Sequence, residues 1–294
     1  MSRFLIIPRI KIHNANALSS PYTIGFPAMT AWFGAIHALQ RKLNAKHFQE
    51  LKFTRFAVSC HDINLQTYKG QGDYVHSIIG TGNPLDKNGN RPSFIEEARC
   101  HLTVSLAIEY EGVDMDDKQA LFAELKKQLH ALKLAGGDIL NCDFHRLELI
   151  KISDDSEIGK LTRKLMTGHV LQERRDLMQT AMQNGQDAIS ALLSYLTVQY
   201  RSEIHNDEQV EWTGKRKTSG WIVPIATGFH GISDLGKAEN QRDANTLHRF
   251  AESLVTLGEF KMPYKIKKLN ELLWSSHYDT DNQFYLIQQH SHLI

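Results

Sequence analysis

Between His101 and Tyr110 the chain alternates without a break. Leu102, Val104, Leu106, Ile108 and Tyr110 fall on one side, and His101, Thr103, Ser105, Ala107 and Glu109 on the other. Period-two patterning specifies a strand with one buried face, so the fold must contain a sheet with an apolar side to cover. Two helices are at hand to cover it. Pro27 suits a first helical position, because its missing N–H would be unpaired there and its φ is already helical. After it, Met29, Trp32, Phe33, Ile36, Leu39 and Leu43 recur at helical spacing, while Gly34, His37 and Arg41 share another face. Downstream, Asp116 and Asp117 sit where a helix dipole favours acidic groups, ahead of a stripe of Leu121, Leu125, Leu129 and Leu132. Gly136-Gly137 reads as its stop.

Three further strands complete the pattern. From Phe4 the chain alternates, with Phe4, Ile6, Pro8, Ile10 and Ile12 on one expected face and Leu5, Ile7, Arg9 and Lys11 on the other. Phe53 to Leu65 is rich in aromatic and β-branched residues, and Phe144 to Ile152 supplies a fourth strand. The order strand, helix, strand, strand, helix, strand places the chain in the α+β class. It predicts a ferredoxin-like βαββαβ unit over 1–152, with both helices on one face and the other face free. RNA-recognition modules share that topology, although the aromatic signature of their usual RNA-binding strands is absent here. A long insertion at 66–100 interrupts the unit. Its glycines and the turn Asp86-Lys87-Asn88-Gly89-Asn90 fit either a working element or a surface loop. Past Ser153 the character changes, and 153–294 reads as a mixed helical and β region packed on the first unit. There, Ile158 to Tyr200 is mostly helical in composition, with Met178, Met182, Ile189, Leu192, Leu193 and Leu196 as expected core.

Composition excludes more than it selects. At 41% hydrophobic and 23% charged residues, the 294-residue chain is an ordinary globular protein. Its net charge of +1 advertises no global basic field, so any nucleic-acid site must be a local patch. Basic clusters do occur, at Lys160 to Arg175, at Lys215-Arg216-Lys217 and at Lys261 to Lys268. Each is either a solvated face or a contact surface. The isolated Cys60, Cys100 and Cys142 read as buried apolar residues in a reducing cytoplasm. No run approaches the roughly eighteen apolar residues of a membrane span, and the charged start at Met1-Ser2-Arg3 does not fit a signal peptide.

Catalytic and metal signatures are thin. The fifteen histidines include no H-E-x-x-H and no paired zinc spacing, so neither metal nor other cofactor is expected. Gly80-Thr81-Gly82 lacks the context of a phosphate loop, and His290-Ser291-His292 lies in a tail. Metal-free RNA cleavage stays open, since His13, His37 or His101 near a Tyr or Lys could deprotonate a ribose hydroxyl.

The most specific stretch is the N-terminal block. Arg9-Ile10, Asn14-Ala15-Asn16-Ala17, Ser19-Ser20-Pro21, Gly25-Phe26-Pro27 and Phe33-Gly34-Ala35-Ile36-His37-Ala38-Leu39 resemble the family of the second Csy subunit. That family is the Cas-five-type (RAMP-type, RRM-like) member of the type I-F CRISPR surveillance complex, also called Csy or Cascade. Gly220-Trp221-Ile222-Val223-Pro224-Ile225 and Gly228-Phe229-His230-Gly231-Ile232-Ser233 resemble its C-terminal signature. The resemblance implies a non-catalytic, cytoplasmic antiviral subunit that holds the 5′ handle of crRNA. It also implies pairing with the large Csy subunit, contact with the terminal backbone subunit, and target DNA met only through the complex. The RNA-binding candidates it marks are Arg9, Asn14, Asn16, Ser19, Phe26 and His37. In the thumb-like insertion it marks Arg91, Phe94 and Arg99, and the basic cluster adds Lys215 and Arg216 to the candidates. Two other classes remain beside it, a metal-independent endoribonuclease that processes CRISPR repeat RNA and a purely architectural subunit.

Overall fold

The structure is a computed structural model that describes residues 1–79, 85–91, 97–204, 210–241 and 243–289. Gly80-Thr81-Gly82, Phe94 and His290-Ser291-His292 lie outside them. The protein is α+β, with five α-helices and one large antiparallel sheet of eleven strands among the described residues. The first unit contributes β1 (Ser2–Asn16), α1 (Met29–Asn44), β2 (Lys52–Leu65), β3 (Arg99–Glu111), α2 (Lys118–His130), β4 (Gly137–Asn141) and β5 (Glu148–Ile152). In the sheet β3 lies between β2 and β1, and β4 and β5 share the far edge of β1. The expected fourth strand is therefore split, because Phe144–Arg146 forms a 3-10 turn. Gly136 is not a helix stop. Together with Ala135 it turns a short hairpin from Lys133–Leu134 into β4, both residues having positive φ as a type I′ turn requires.

Both predicted helices cover the same sheet face. Met29, Trp32, Ile36, Leu39 and Leu43 of α1 and Leu121, Leu125 and Leu129 of α2 share one core with the apolar side of β3. Pro27 stands just outside α1, whose N-cap is Ala28, and its carbonyl accepts the Trp32 indole N–H at 3.2 Å. The alternation of β1 breaks where the sequence shows none. Leu5, Ile7, Ile10 and Ile12 all pack towards the helices, whereas Phe4 and Ile6 face the other way. A bulge between Ile7 and Ile10 shifts the phase by inserting an unpaired residue.

The expectation of a wholly free second face is corrected by α3 (Ile158–Leu165). Its Ile158, Leu161 and Leu165 cover Phe4, Ile6, Ala57 and Ala107, leaving only the other half of that face open. The rest of the chain continues the sheet with β6 (His169–Glu173), then α4 (Arg175–Gln183), α5 (Ala188–Leu196) and an outlying ribbon β7 (Val198–Ile204) with β8 (Val210–Arg216). It closes with β9 (Trp221–Gly231), β10 (Ala251–Lys261), β11 (Trp274–Asp279) and β12 (Phe284–Gln289). The pairing runs β6, β10, β9, β12, β11, β2 and returns from β2 to β6 at Ser59 and Cys60. Of the residues expected in the core here, Met178 is buried, but Met182, Ile189 and Leu193 are exposed. Helix α5 buries Ala191 and Tyr195 instead. All three cysteines are free and buried, and burial pushes the thiols of Cys60 and Cys142 up to about 12. No helix among the described residues is long and apolar enough to cross a membrane.

One buried pair makes the sheet sensitive to acid. Glu109 on β3 accepts two hydrogen bonds from Arg55, at 2.6 and 2.9 Å, and one from Thr54 at 2.8 Å. Burial alone would raise its pKa, but the bonds from Arg55, Ser2 and Thr54 outweigh it and hold the carboxyl below its usual range. The unfolded chain then binds the proton more readily, so this stability is present above the unfolded value and is lost as pH falls through the folded one. Glu109→Gln is expected to cost about 1–3 kcal/mol at pH 7 and to flatten the acid limb of stability. Urea titrations at pH 7 and pH 3.5 test it, and an unchanged acid limb would refute this role for Glu109.

Candidate nucleic-acid interface

The half of the sheet left uncovered by α3 is polar for a simple reason. Between the apolar residues that face the helices, β1 offers Lys11 and His13, β2 offers His61, Asp62 and Asn64, and β3 offers His101 and Thr103, with Ser105 buried beneath. Lys11 pairs in register with Thr103 on one side and Asn141 on the other, and Asn64 pairs with His101. The rings of His13 and His101 stack at 4.2 Å.

Two backbone irregularities shape this surface. Arg9 (φ 52°) and Asn14 (φ 62°) both adopt the left-handed conformation, each at a register shift of β1. That conformation is disfavoured for arginine, so its neighbours must hold it. The Arg9 N–H donates to Ser105 Oγ at 3.0 Å, and its Nη2 donates to Thr167 Oγ1 at 3.3 Å. The Asn14 N–H donates to His101 Nδ1 at 3.1 Å. Gly137 allows β4 to reach the second bulge, since a Cβ there would stand 2.7 Å from the Ala15 nitrogen and the His13 carbonyl.

His61 Nε2 lies 2.7 Å from Ser105 Oγ, while its buried Nδ1 has no partner among the described residues. Burial first, then the charges of Arg9 and His169, push His61 down to about 4, so its ring is neutral at pH 7. Arg9 and Lys11 form no ion pair among the described residues. Cationic groups without a counter-charge beside an open, hydrogen-bonding surface suit a phosphate. A cavity of ≈ 350 Å³ lined by Arg9, Lys11, Lys126, His145 and the carboxylate Asp143 adjoins it.

The remaining candidates are scattered. Asn16 is exposed, but its Oδ1 accepts the Leu18 N–H at 3.0 Å, and Ser19 bonds to Thr23 within its own turn. Phe26 is buried between Trp32 and Phe260, where its ring is closed to a base. His37 is exposed on the outer face of α1. Arg91 is exposed, and Arg99 pairs with Glu97 next to Asn16 in the register. Lys215 and Arg216 lie on the β7–β8 ribbon with the exposed Tyr200 and Trp212. Of the basic run from Lys160 to Arg175, the structure spends Arg174 and Arg175 in ion pairs with Asp176, Glu259 and Glu173. Sequence reasoning missed His61, Ser105 and Thr167 as neighbours of Arg9. Their only local signal was membership of the polar side of each strand. Among the described residues no group of three His, Cys, Asp or Glu side chains is placed to hold a metal ion.

A sequence model of the CRISPR-associated protein family Cas_Csy2 matches residues 5–287. The chain belongs to the Csy2 family. Its match to this family spans the open sheet half, both β1 bulges and the C-terminal strands alike. Similar to it is the CRISPR-associated protein Csy2 of Pseudomonas aeruginosa (strain UCBPP-PA14), 32% identical over 308 aligned residues. That alignment covers 96% of this chain and 93% of the relative.

Proposed function

We propose that this chain is a non-catalytic, crRNA-binding subunit of a type I-F CRISPR effector complex, and that the open half of its sheet holds the 5′ handle. The observation that carries the reading is the pair Arg9 and Lys11, without ionic partners among the described residues, beside a row of polar, partly exposed side chains. Family membership supports the complex, and the sheet supports the mode of binding. Strands β2, β3, β1 and the β4–β5 edge, with α1 and α2 on one face, follow the ferredoxin-like order. RNA-recognition modules of that topology bind on the helix-free face. In this reading 1–152 is the RNA-binding unit, 66–100 projects from it as a thumb, and 153–294 is built onto it. Arg9 and Lys11 neutralise phosphates while Asn14 and its neighbours read unstacked bases. Phe26 then acts through packing, and Arg91, Arg99, Lys215 and Arg216 form outlying contacts.

Holding fits the histidines better than cutting. A general base and a general acid must flank the phosphorus from opposite sides, whereas His13 and His101 stack on each other and His101 Nδ1 is taken up by the Asn14 N–H. The exposed Met182, Ile189 and Leu193, with Trp212 and Tyr200 on the ribbon, supply apolar surface for protein partners. We assign those partners as the large Csy subunit and the terminal backbone subunit, working in the cytoplasm and meeting target DNA only through the complex.

Arg9→Ala with Lys11→Ala tests this. In the assembled complex, labelled RNA bearing its natural handle should bind more weakly, with the salt slope reduced by about 0.7 per lost phosphate contact. The penalty for Arg9→Ala should shrink at high salt, and that for Asn14→Ala should persist. RNA retention unchanged in all three variants would sink the reading. A discrete shorter RNA that disappears on His101→Ala would replace it with a processing nuclease.

A further inference from the structure

A second basic surface lies across the turn from the sheet face. Between α3 and the edge strand β5 runs a groove of ≈ 580 Å³ whose charged lining is Arg146, Lys151, Lys160, Arg163, Lys164 and the single carboxylate Glu148. Lys164 pairs with Glu148 at 2.5 Å, Arg146 lies 3.8 Å from Asp143, and Lys160 pairs with Glu157. These pairs are solvent-exposed, so they are weak and exchange readily for another anion. Arg163 and Lys151 also line the groove and form no ion pair among the described residues, Lys151 bordering it from the strand edge because it alternates with Glu148 and Ile150 along β5. The floor is Ile150.

The groove begins where the Arg9 notch ends. Glu148 is the register partner of Ile6 on β1, and Thr167, just past the end of α3, accepts the hydrogen bond from Arg9. The cavity beside Arg9 and Lys11 ends at His145, and the groove takes up at Arg146. Cations are thus laid along one track, from Lys11 and Arg9 past the 143–146 turn to Lys151 and Arg163. A lysine guarding an open sheet edge accounts for Lys151 alone, since among the described residues β5 pairs only with β1. It does not account for three cations on α3 turned towards the same groove.

We infer that the α3–β5 groove binds the sugar-phosphate backbone of single-stranded RNA without reading sequence, carrying the strand onward from the sheet face. The inference rests on the RNA-binding reading above but uses different residues. Charge without a base-stacking aromatic in the lining gives phosphate contact and no base selection.

The test uses the full chain with the subunits it retains, a labelled single-stranded RNA extending beyond the handle, and the variants R9A, K151Q/R163Q and K151E/R163E. K151Q/R163Q should reduce the slope of log affinity against log salt by about 1.4, which is 0.7 for each of two lost contacts. The loss should be the same for scrambled RNA of equal length, and charge reversal should deepen it. An unchanged slope in K151Q/R163Q overturns the inference; if R9A still weakens binding, the sheet-face reading stands without it. If R9A changes nothing while K151Q/R163Q lowers the slope, the sheet-face reading falls and the groove keeps its RNA. Capture of a polyglutamate peptide in preference to RNA, abolished in K151Q/R163Q, would make the groove a protein-docking site and overturn the inference.

Discussion

Trp274→Ala is expected to lower stability by about 3–5 kcal/mol, enough to leave much of the protein unfolded in dilute urea. Trp274 is fully buried and packs in the main core with Phe56, Leu171 and Ile287. It is also the residue of β11 that pairs with β2, through Phe56, so it closes the circuit of strands that ties the C-terminal half to the first unit. Its indole N–H donates to the Leu171 carbonyl at 3.0 Å, a bond buried from water. Alanine removes the packing and the donor together and leaves a cavity at the seam. Phenylalanine keeps most of the volume and should cost only about 1–2 kcal/mol, the share of the lost hydrogen bond and imperfect fit. Urea midpoints of the two variants measure the difference. A Trp274→Ala midpoint indistinguishable from the parent would mean that the seam carries little of the stability.

The second large effect is electrostatic. Glu173 ends β6 with no exposed surface, and Arg175 Nη2 meets its Oε1 at 2.5 Å. The other carboxylate oxygen accepts the Gln289 N–H at 3.0 Å, and the Glu173 N–H donates to Gln289 Oε1 at 2.8 Å. Arg175→Ala should cost about 3–5 kcal/mol, because it takes a charged donor away from a fully buried carboxylate rather than because the pair itself is worth so much. Glu173→Gln in the same chain should recover a large part of that loss by removing the buried charge. The double-mutant cycle therefore distinguishes the two accounts. If Glu173→Gln with Arg175→Ala is no more stable than Arg175→Ala alone, burial of the charge is not the source of the cost. Gln289 also donates to the Leu171 carbonyl that Trp274 uses, so the two substitutions are expected to be non-additive.

These seams were not visible in the chain. His169–Glu173 is five residues long, sits between helices and is buried all along except at its first residue, so it shows no period-two signal to separate it from helix. The strand at 101–110 and the stripes of α1 and α2 were readable because each element buries one face, and that demand imprints a local period. The phase shifts in β1 were not readable, since an extra residue is defined only by the partner strand it fails to pair with. The same holds for Met182, Ile189 and Leu193. Their composition says core, yet α5 turns Ala191 and Tyr195 inward instead.

The candidate site divides in the same way. Arg9 and Asn14 stood out in a specific N-terminal block, and the basic run from Lys160 was plain. What gathers round Arg9 comes from far along the chain, Ser105 from 96 residues away and Thr167 from 158. Sequence by itself determined the α+β class, the order of the first unit, its two covering helices and membership of the Csy2 family, because these follow from local burial and from residue identity. Only the tertiary structure decided which half of the sheet stays open, which arginines of the basic run are spent in ion pairs, and that Phe26 lies in the core. Those outcomes depend on where distant strands dock, and no local pattern records that.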